Sequence, residues 1–307
     1  MKRNDAGAPS GSGALGPAAA IGSVALEALL LEAAAEPKPG LVCPSSRGAH
    51  RDMDFLTFIA SGSALAPWFV EFARLGAEGA AVDPAELLPP LREAGRGAER
   101  DMLRATGGVN THKGLVFSLG ILCASAGSLA AAERPLFAAD CAKGAAAITN
   151  GIVARDFAGL ASRDPSSLSA GERLYLRHGV AGVRAEAEAG FPDVLGGSLP
   201  RLEAGLASGL GMGAALVDAL LELMASVDDT NVLARGGTQG LELLRARARS
   251  ALERGGIASE EGRAAIGALG ELCESRNLSP GGCADLLAVT AFLHLLPAAW
   301  PAARRRV

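Results

Sequence analysis

Aromatic residues are scarce in this chain, with one Tyr, two Trp and nine Phe, 4% of 307 residues. Strand-favouring residues are sparse too, while Ala, Leu, Glu and Arg dominate. That balance excludes a sheet-built core and predicts an all-α protein packed through small side chains. No basic stripe with interleaved aromatics is present, and the net charge of −4 has both signs interspersed, so nucleic acid is not an expected partner. The cysteines, Cys43, Cys123, Cys141, Cys273 and Cys283, form no CxxC or zinc-like spacing. Cys123 and Cys141 lie in apolar runs and read as buried small side chains in a reduced, cytoplasmic setting. There is no Walker A spacing, no GxSxG, no HExxH, no GxGxxG after a strand, and no repeat of 20–50 residues. The apolar run 286–296 is too short to span a bilayer. Lys2 and Arg3 ahead of the apolar run 14–35 have the outline of a signal peptide, but Asp5, Glu27 and Glu32 interrupt it. A disordered leader over 1–15, one compact helical domain over 16–298 and a tail over 299–307 are expected instead.

What the chain does have is a series of polar, glycine-bearing turns, each feeding an apolar helix. The central one is TGGVNTHKG, residues 106–114. Gly107 and Gly108 can turn with positive φ. Asn110 or Thr111 can cap the next helix, which places His112 and Lys113 in its first turn beside any bound anion. A capped core helix with a solvated lysine explains the same residues. Helices are predicted over 17–35, from about 50 to 75, and over 84–104, 112–132, 135–149, 151–160, 211–225, 238–254, 259–275 and 278–296. EPKPG ends the first of them and carries Lys38. In HRDMD, His50 and Asp54 are four apart and can share a helical face, with Asp52 able to turn into a site from a helix start.

Three more turns follow. GVRAEAEAGFP carries Arg184, Glu186 and Glu188 next to a Gly-Phe-Pro stop, either a surface ion pair or groups for a cation or a hydroxyl. SVDDTNVLARGG lines up Asp228, Asp229, Thr230 and Asn231, oxygen ligands of the kind Mg²⁺ takes, with Arg235 as a phosphate contact. Asp or Thr as an N-cap is the simpler reading of the same run. LSPGGCADLLA sets Ser279 and Pro280 at a helix start, where Gly281 and Gly282 free backbone N–H groups for an anion and Asp285 lies one turn in. His294, deep in an apolar run, reads as a core histidine.

Taken in order, PKPGLV, GAHRDMDF, TGGVNTHKG, GVRAEAEAGFP, DDTNVLARGG and LSPGGCADLLA resemble the triphosphoribosyl-dephospho-CoA synthase family over residues 20–297. The SPGG-x-ADLLA ending is most similar to the branch associated with malonate decarboxylase. The chain departs from the family pattern at Cys43, Pro44 and Ser45, where Asp-Arg is expected. It departs again at 180–186, where an Arg-Gly-Ala-Arg-Gly-Glu-like run is expected.

The resemblance implies that ATP and 3′-dephospho-CoA give 2′-(5″-triphosphoribosyl)-3′-dephospho-CoA and adenine. The product is the precursor of the prosthetic group of an acyl-carrier subunit, of malonate decarboxylase or of citrate lyase, attached by a downstream transferase. It also implies an α-linkage in the product where ATP is β, hence inversion by direct attack of the 2′-hydroxyl through an oxocarbenium-like transition state. On that basis Asp52, Asp54, Asp228 and Asp229 are expected at Mg²⁺ on the triphosphate. Lys38, Asn110, Thr111, Lys113, Arg184, Asn231, Arg235, Gly281 and Gly282 are expected at substrate or phosphate. Glu186 or Glu188 is expected as the base, with His50 or His112 assisting proton transfer. The competing readings are a Mg²⁺-dependent N-glycosidase on an ADP-ribose-like substrate and a non-catalytic helical partner protein.

Overall fold

The computed structural model describes residues 15–299. The expected leader and tail lie outside the described residues, apart from Leu15 and Ala299. In chain order the helices are α1 (Pro17–Ala34), α2 (Phe55–Glu78), α3 (Leu88–Ala105), α4 (Lys113–Ala131), α5 (Ala138–Thr149) and α6 (Ile152–Asp156). They continue with α7 (Ala170–His178), α8 (Val183–Glu188), α9 (Leu199–Ala207), α10 (Met212–Ser226), α11 (Thr230–Glu253), α12 (Glu260–Ser275) and α13 (Gly281–Ala299). Among the described residues there is no strand, only an isolated bridge between Cys43 and Ser46. The all-α expectation holds.

Local chemistry sets the boundaries. Pro17 opens α1 at a position where its missing N–H costs nothing. Asp54 caps α2 in a capping box with Thr57. Ser259 caps α12, accepting from Gly262 N at 2.9 Å. Gly107 and Gly108 have φ of 65° and 94°, so the chain turns there as the double glycine predicts. Gly237, at φ 61°, kinks α11 about one-third of the way along.

The core is formed where α2 packs on α1 and α4, and where α13 closes over α1 and α4. Leu29, Phe69, Phe72, Leu119, Leu122 and Phe292 are fully enclosed, each worth about 1.5–3 kcal/mol of transfer from water. Small side chains let α2 and α4 approach closely. A Cβ on Gly76 would lie 1.9 Å from the Ala124 carbonyl oxygen, and one on Gly127 would lie 2.0 Å from that of Ala73. In a second layer α9 and α11 pack on α10, which also meets α13, and α12 packs on α11. All five cysteines are buried and free, as expected for Cys123 and Cys141.

Four helices, α1, α2, α4 and α13, are long and apolar enough to cross a membrane by length and composition. The run 286–296 is therefore part of a longer apolar helix than its own length suggests. These four are the helices that pack on one another: within α4, 78% of the apolar window is buried inside the protein, the pattern of a core helix. His294 is only partly buried, its Nδ1 3.7 Å from Glu203 Oε1, so it sits at the edge of the core.

Candidate active site

The starts of α4, α11 and α13 converge on one cleft of about 1170 Å³, and α8 lies against it. Helix N-termini carry unpaired N–H groups and a partial positive charge, and their convergence makes an anion-binding surface.

Asp229 ties two of these starts together. It is 1% exposed. Its Oδ1 accepts from Asn231 N at 2.8 Å and Val232 N at 3.0 Å, and its Oδ2 accepts from Cys283 N at 2.9 Å. Burial raises its pKa, and the three amides oppose that. The glycine pair of α13 fits around this arrangement. A Cβ on Gly282 would lie 3.0 Å from Asp229 Oδ2, and one on Gly281 would lie 2.6 Å from Asn231 Nδ2. The third start joins in the same way, since a Cβ on Gly114 would lie 2.1 Å from Asp285 Oδ2. Asp285 lines the cleft and is held well above the usual carboxylate range by burial and by the carboxylates of Glu32 and Asp229.

Glu32 and Lys38 form a buried pair at the end of α1. Lys38 Nζ donates to Glu32 Oε1 at 2.6 Å and to the Glu32 carbonyl at 2.7 Å, capping the helix C-terminus with a cation. Burial pushes the Glu32 carboxyl up, and the Lys38 charge pulls it back. Above them His112 is 2% exposed. Its Nδ1 lies 2.7 Å from Ser61 Oγ, which in turn accepts from Thr111 Oγ1 at 2.8 Å. With the Thr111 proton on Ser61 Oγ, the Ser61 hydroxyl can donate to Nδ1, which places the imidazole proton on Nε2. Nε2 is buried with no partner among the described residues. Burial, with Lys38 nearby, lowers the His112 pKa to about 3, so this ring is neutral at physiological pH. His50 is set differently. Its Nε2 lies 2.8 Å from Ser279 Oγ and its Nδ1 3.6 Å from Asp52 Oδ1. Burial and the Arg235 guanidinium lower its pKa, and Asp52 partly restores it.

On α8, Glu186 and the neighbouring Asp193 both line the cleft. Burial and the Asp193 carboxyl push Glu186 up to about 8, so Glu186 keeps a proton at neutral pH. Glu186 Oε2 is buried with no partner among the described residues.

A sequence model of the CitG family, ATP:dephospho-CoA triphosphoribosyl transferase, matches residues 18–304. The chain belongs to this family. It is 42% identical over 271 residues to the 2-(5''-triphosphoribosyl)-3'-dephosphocoenzyme-A synthase of Klebsiella pneumoniae, covering 88% of this chain and 89% of that one. Proteins named as probable synthases of the same kind are similar too. That of Albidiferax ferrireducens is 45% identical over 285 residues, covering 92% and 93% of the two chains. That of Malonomonas rubra is 40% identical over 276 residues, covering 90% and 87%.

The structure brings most of the expected family residues to one place: Lys38, His50, Asp52, Asn110, Thr111, His112, Lys113, Arg184, Glu186, Asp228, Asp229, Asn231, Arg235, Gly281 and Gly282 all line the cleft. Two do not. Asp54 is the N-cap of α2 and pairs with Arg47 at 2.9 Å. Residues 50–54 are a loop rather than a helical turn, so His50 and Asp54 share no helical face. Glu188 accepts from the Val153 and Gly151 amides and thereby holds the start of α6.

Several lining residues have protein partners as well. Asn110 Oδ1, not Thr111, accepts from Lys113 N at 3.2 Å, and Lys113 Nζ lies 3.0 Å from Glu99. Arg184 Nε donates to Asp156 at 2.8 Å. Arg235 donates to the Ala49 carbonyl and to Asn277. Asp228 pairs with Arg245 at 2.8 Å. Sequence reasoning missed Glu32, Ser61 and Asp193 and gave Asp285 no role. The available signal was a carboxylate in an otherwise apolar helix, which needs a partner.

No group of three or more His, Cys, Asp or Glu among the described residues is placed to hold a metal ion. The cleft is nevertheless acid-rich, with eight carboxylates (Glu32, Asp52, Glu172, Glu186, Asp193, Asp228, Asp229, Asp285) against Lys38, Lys113, Arg184 and Arg235. A cleft of that balance accepts a polyanion only with added protons or cations. That fits a Mg²⁺ arriving with phosphates and held by one or two carboxylates. Asp229 has both oxygens committed, and Asp54 lies elsewhere.

Proposed function

We propose that this cleft holds ATP and 3′-dephospho-CoA together and moves the triphosphoribosyl group of ATP onto the 2′-hydroxyl of dephospho-CoA, releasing adenine. The observation that carries the reading is the convergence of three helix starts on an acid-rich cleft. The amides of Gly281 and Gly282 at the α13 start suit the triphosphate, and the carboxylates suit an oxocarbenium-like ribose.

The C1′–N9 bond of ATP breaks as the 2′-oxygen bonds to C1′. The hydroxyl proton must leave, and adenine must gain one to depart neutral. Inverting displacement sets the two on opposite faces of C1′, so two groups share the task. Glu186 already carries a proton and gives it to adenine. Asp285, held protonated by burial and its acidic neighbours, is no base; His50, whose ring burial and Arg235 keep neutral, takes the hydroxyl proton. His112, neutral and with its proton on Nε2, donates a hydrogen bond and does not act as an acid. Lys113, Arg235 and the amides of Gly281 and Gly282 contact phosphates. Of the four carboxylates expected at Mg²⁺, Asp52 and Asp228 would hold it, and it would neutralise triphosphate charge. The five free cysteines suit a reduced, cytoplasmic setting. The SPGG ending supports a malonate decarboxylase carrier as the final recipient of the product.

Purified protein incubated with ATP, Mg²⁺ and dephospho-CoA, followed by chromatography and mass spectrometry, tests this. Adenine should appear in step with an adduct heavier by one triphosphoribosyl unit. Adenine release that ignores dephospho-CoA would replace this reading with an N-glycosidase. Removing metal with a chelator should stop turnover, and Mg²⁺ should restore it.

A further inference from the structure

A second hollow, of about 240 Å³, opens beside the cleft among α2, α3 and α4. Its floor is apolar, with Leu91, Phe117 and Ile121, and its rim carries Arg92, Arg96 and Arg184. Two links join it to the cleft. Arg184 lines both spaces, and Lys113 on the cleft side pairs at 3.0 Å with Glu99 on the hollow side. Arg92 and Arg184 are both held by Asp156. Arg184 uses only Nε in doing so among the described residues, which leaves its terminal nitrogens for an anion.

We infer that this hollow receives the pantetheine arm of dephospho-CoA, with its pyrophosphate at the Arg184 rim, and so separates the two substrates. The inference rests on the function proposed above. ATP is polar and charged along its whole length. Dephospho-CoA has a long uncharged arm of a gem-dimethyl carbon, a hydroxyl, two amides and a thiol, which begins at a pyrophosphate. Guanidinium groups over an apolar floor match that order of chemistry, and nothing in ATP does. The volume is below the ~300 Å³ at which pockets for whole small molecules begin, a size for one flexible arm whose head lies elsewhere.

Gly95 gives a clean test. It lines the hollow, and a Cβ built there meets nothing within 4 Å. Leu is a better helix former than Gly by roughly 1 kcal/mol, so Gly95→Leu fills the space without endangering the fold. The KM for dephospho-CoA should rise about tenfold or more, the scale of losing apolar pocket contacts, with the KM for ATP within about twofold of wild type. Gly95→Ala should give a smaller rise of the same kind. An unchanged KM for dephospho-CoA in folded Gly95→Leu, checked by circular dichroism, would overturn the inference, as would equal rises for both substrates. Failure of the parent function would be seen separately, as wild-type protein that forms no adduct.

Discussion

The two sides of the cleft are built differently. On the side made by the end of α1 and the starts of α4, α11 and α13, polar groups are buried and largely satisfied by one another. Lys38 is spent on Glu32, Asp229 on three amides, and Ser61 on both Thr111 and His112. On the α8 side the helix has six residues, and its carboxylate pair leaves Glu186 Oε2 without a partner. The first side is a frame that is costly to disturb. The second, in the function proposed above, carries the proton that moves to adenine. A substitution on the first side should therefore register mainly as stability, and one on the second mainly as rate.

The largest expected effect is Lys38→Met. It strands the Glu32 carboxyl in the interior, at a cost of about 3–5 kcal/mol. Denaturant unfolding should show the loss, and Glu32→Gln combined with Lys38→Met should recover much of it. Equal stabilities for Lys38→Met and wild type would erase the contrast between the two sides.

Next is Glu186→Gln, which removes the proposed proton donor and should slow turnover by about 10²–10⁴-fold while preserving the fold. Its pH signature has a defined sign. The folded pKa is raised from 4.5 to about 8, so the contribution of this carboxyl to stability is complete below pH 4.5 and lost as pH rises to 8. Wild type should lose ground against Glu186→Gln across that window. Parallel stability curves would show that the carboxyl titrates normally.

Asp229→Asn comes third. One carboxylate position becomes an NH₂ facing a backbone N–H, costing about 1–3 kcal/mol, and the loosened starts of α11 and α13 should lower turnover as well. Unchanged stability would mean that the two helix starts are held by other contacts. The smallest effect should come from Asp54→Ala. It removes the cap of α2 away from the cleft, so Tm should fall by about 2–4 °C with kcat unchanged. A large fall in kcat would return Asp54 to the site.

The sequence made the helix-start turns legible because each needs an unusual residue at a fixed place: Gly107 and Gly108 for positive φ, Asp229 for its cap, Ser259 for another. It also made the apolar helices legible through composition. It was ambiguous where one residue type serves two ends. Asp54 and Asp229 are both acids beside a helix start, and only their surroundings show that one faces Arg47 on the outside and the other joins two helices at the cleft. Glu188 has the same chemistry as Glu186, yet it points to the amides of α6.

By itself, then, the chain determined an all-α protein and the set of polar turns that mark its family, because backbone sterics and capping act within a few residues. The tertiary structure decided which of those groups are free. Lys38 meets Glu32 over six residues, but Asp229 reaches Cys283 across 54, Ser61 reaches His112 across 51, and His50 reaches Ser279 across 229. Burial and hydrogen bonding between distant segments set the protonation of Glu186, Asp285 and His112. Those quantities have no local signature, since they depend on how α1, α4, α8 and α13 pack.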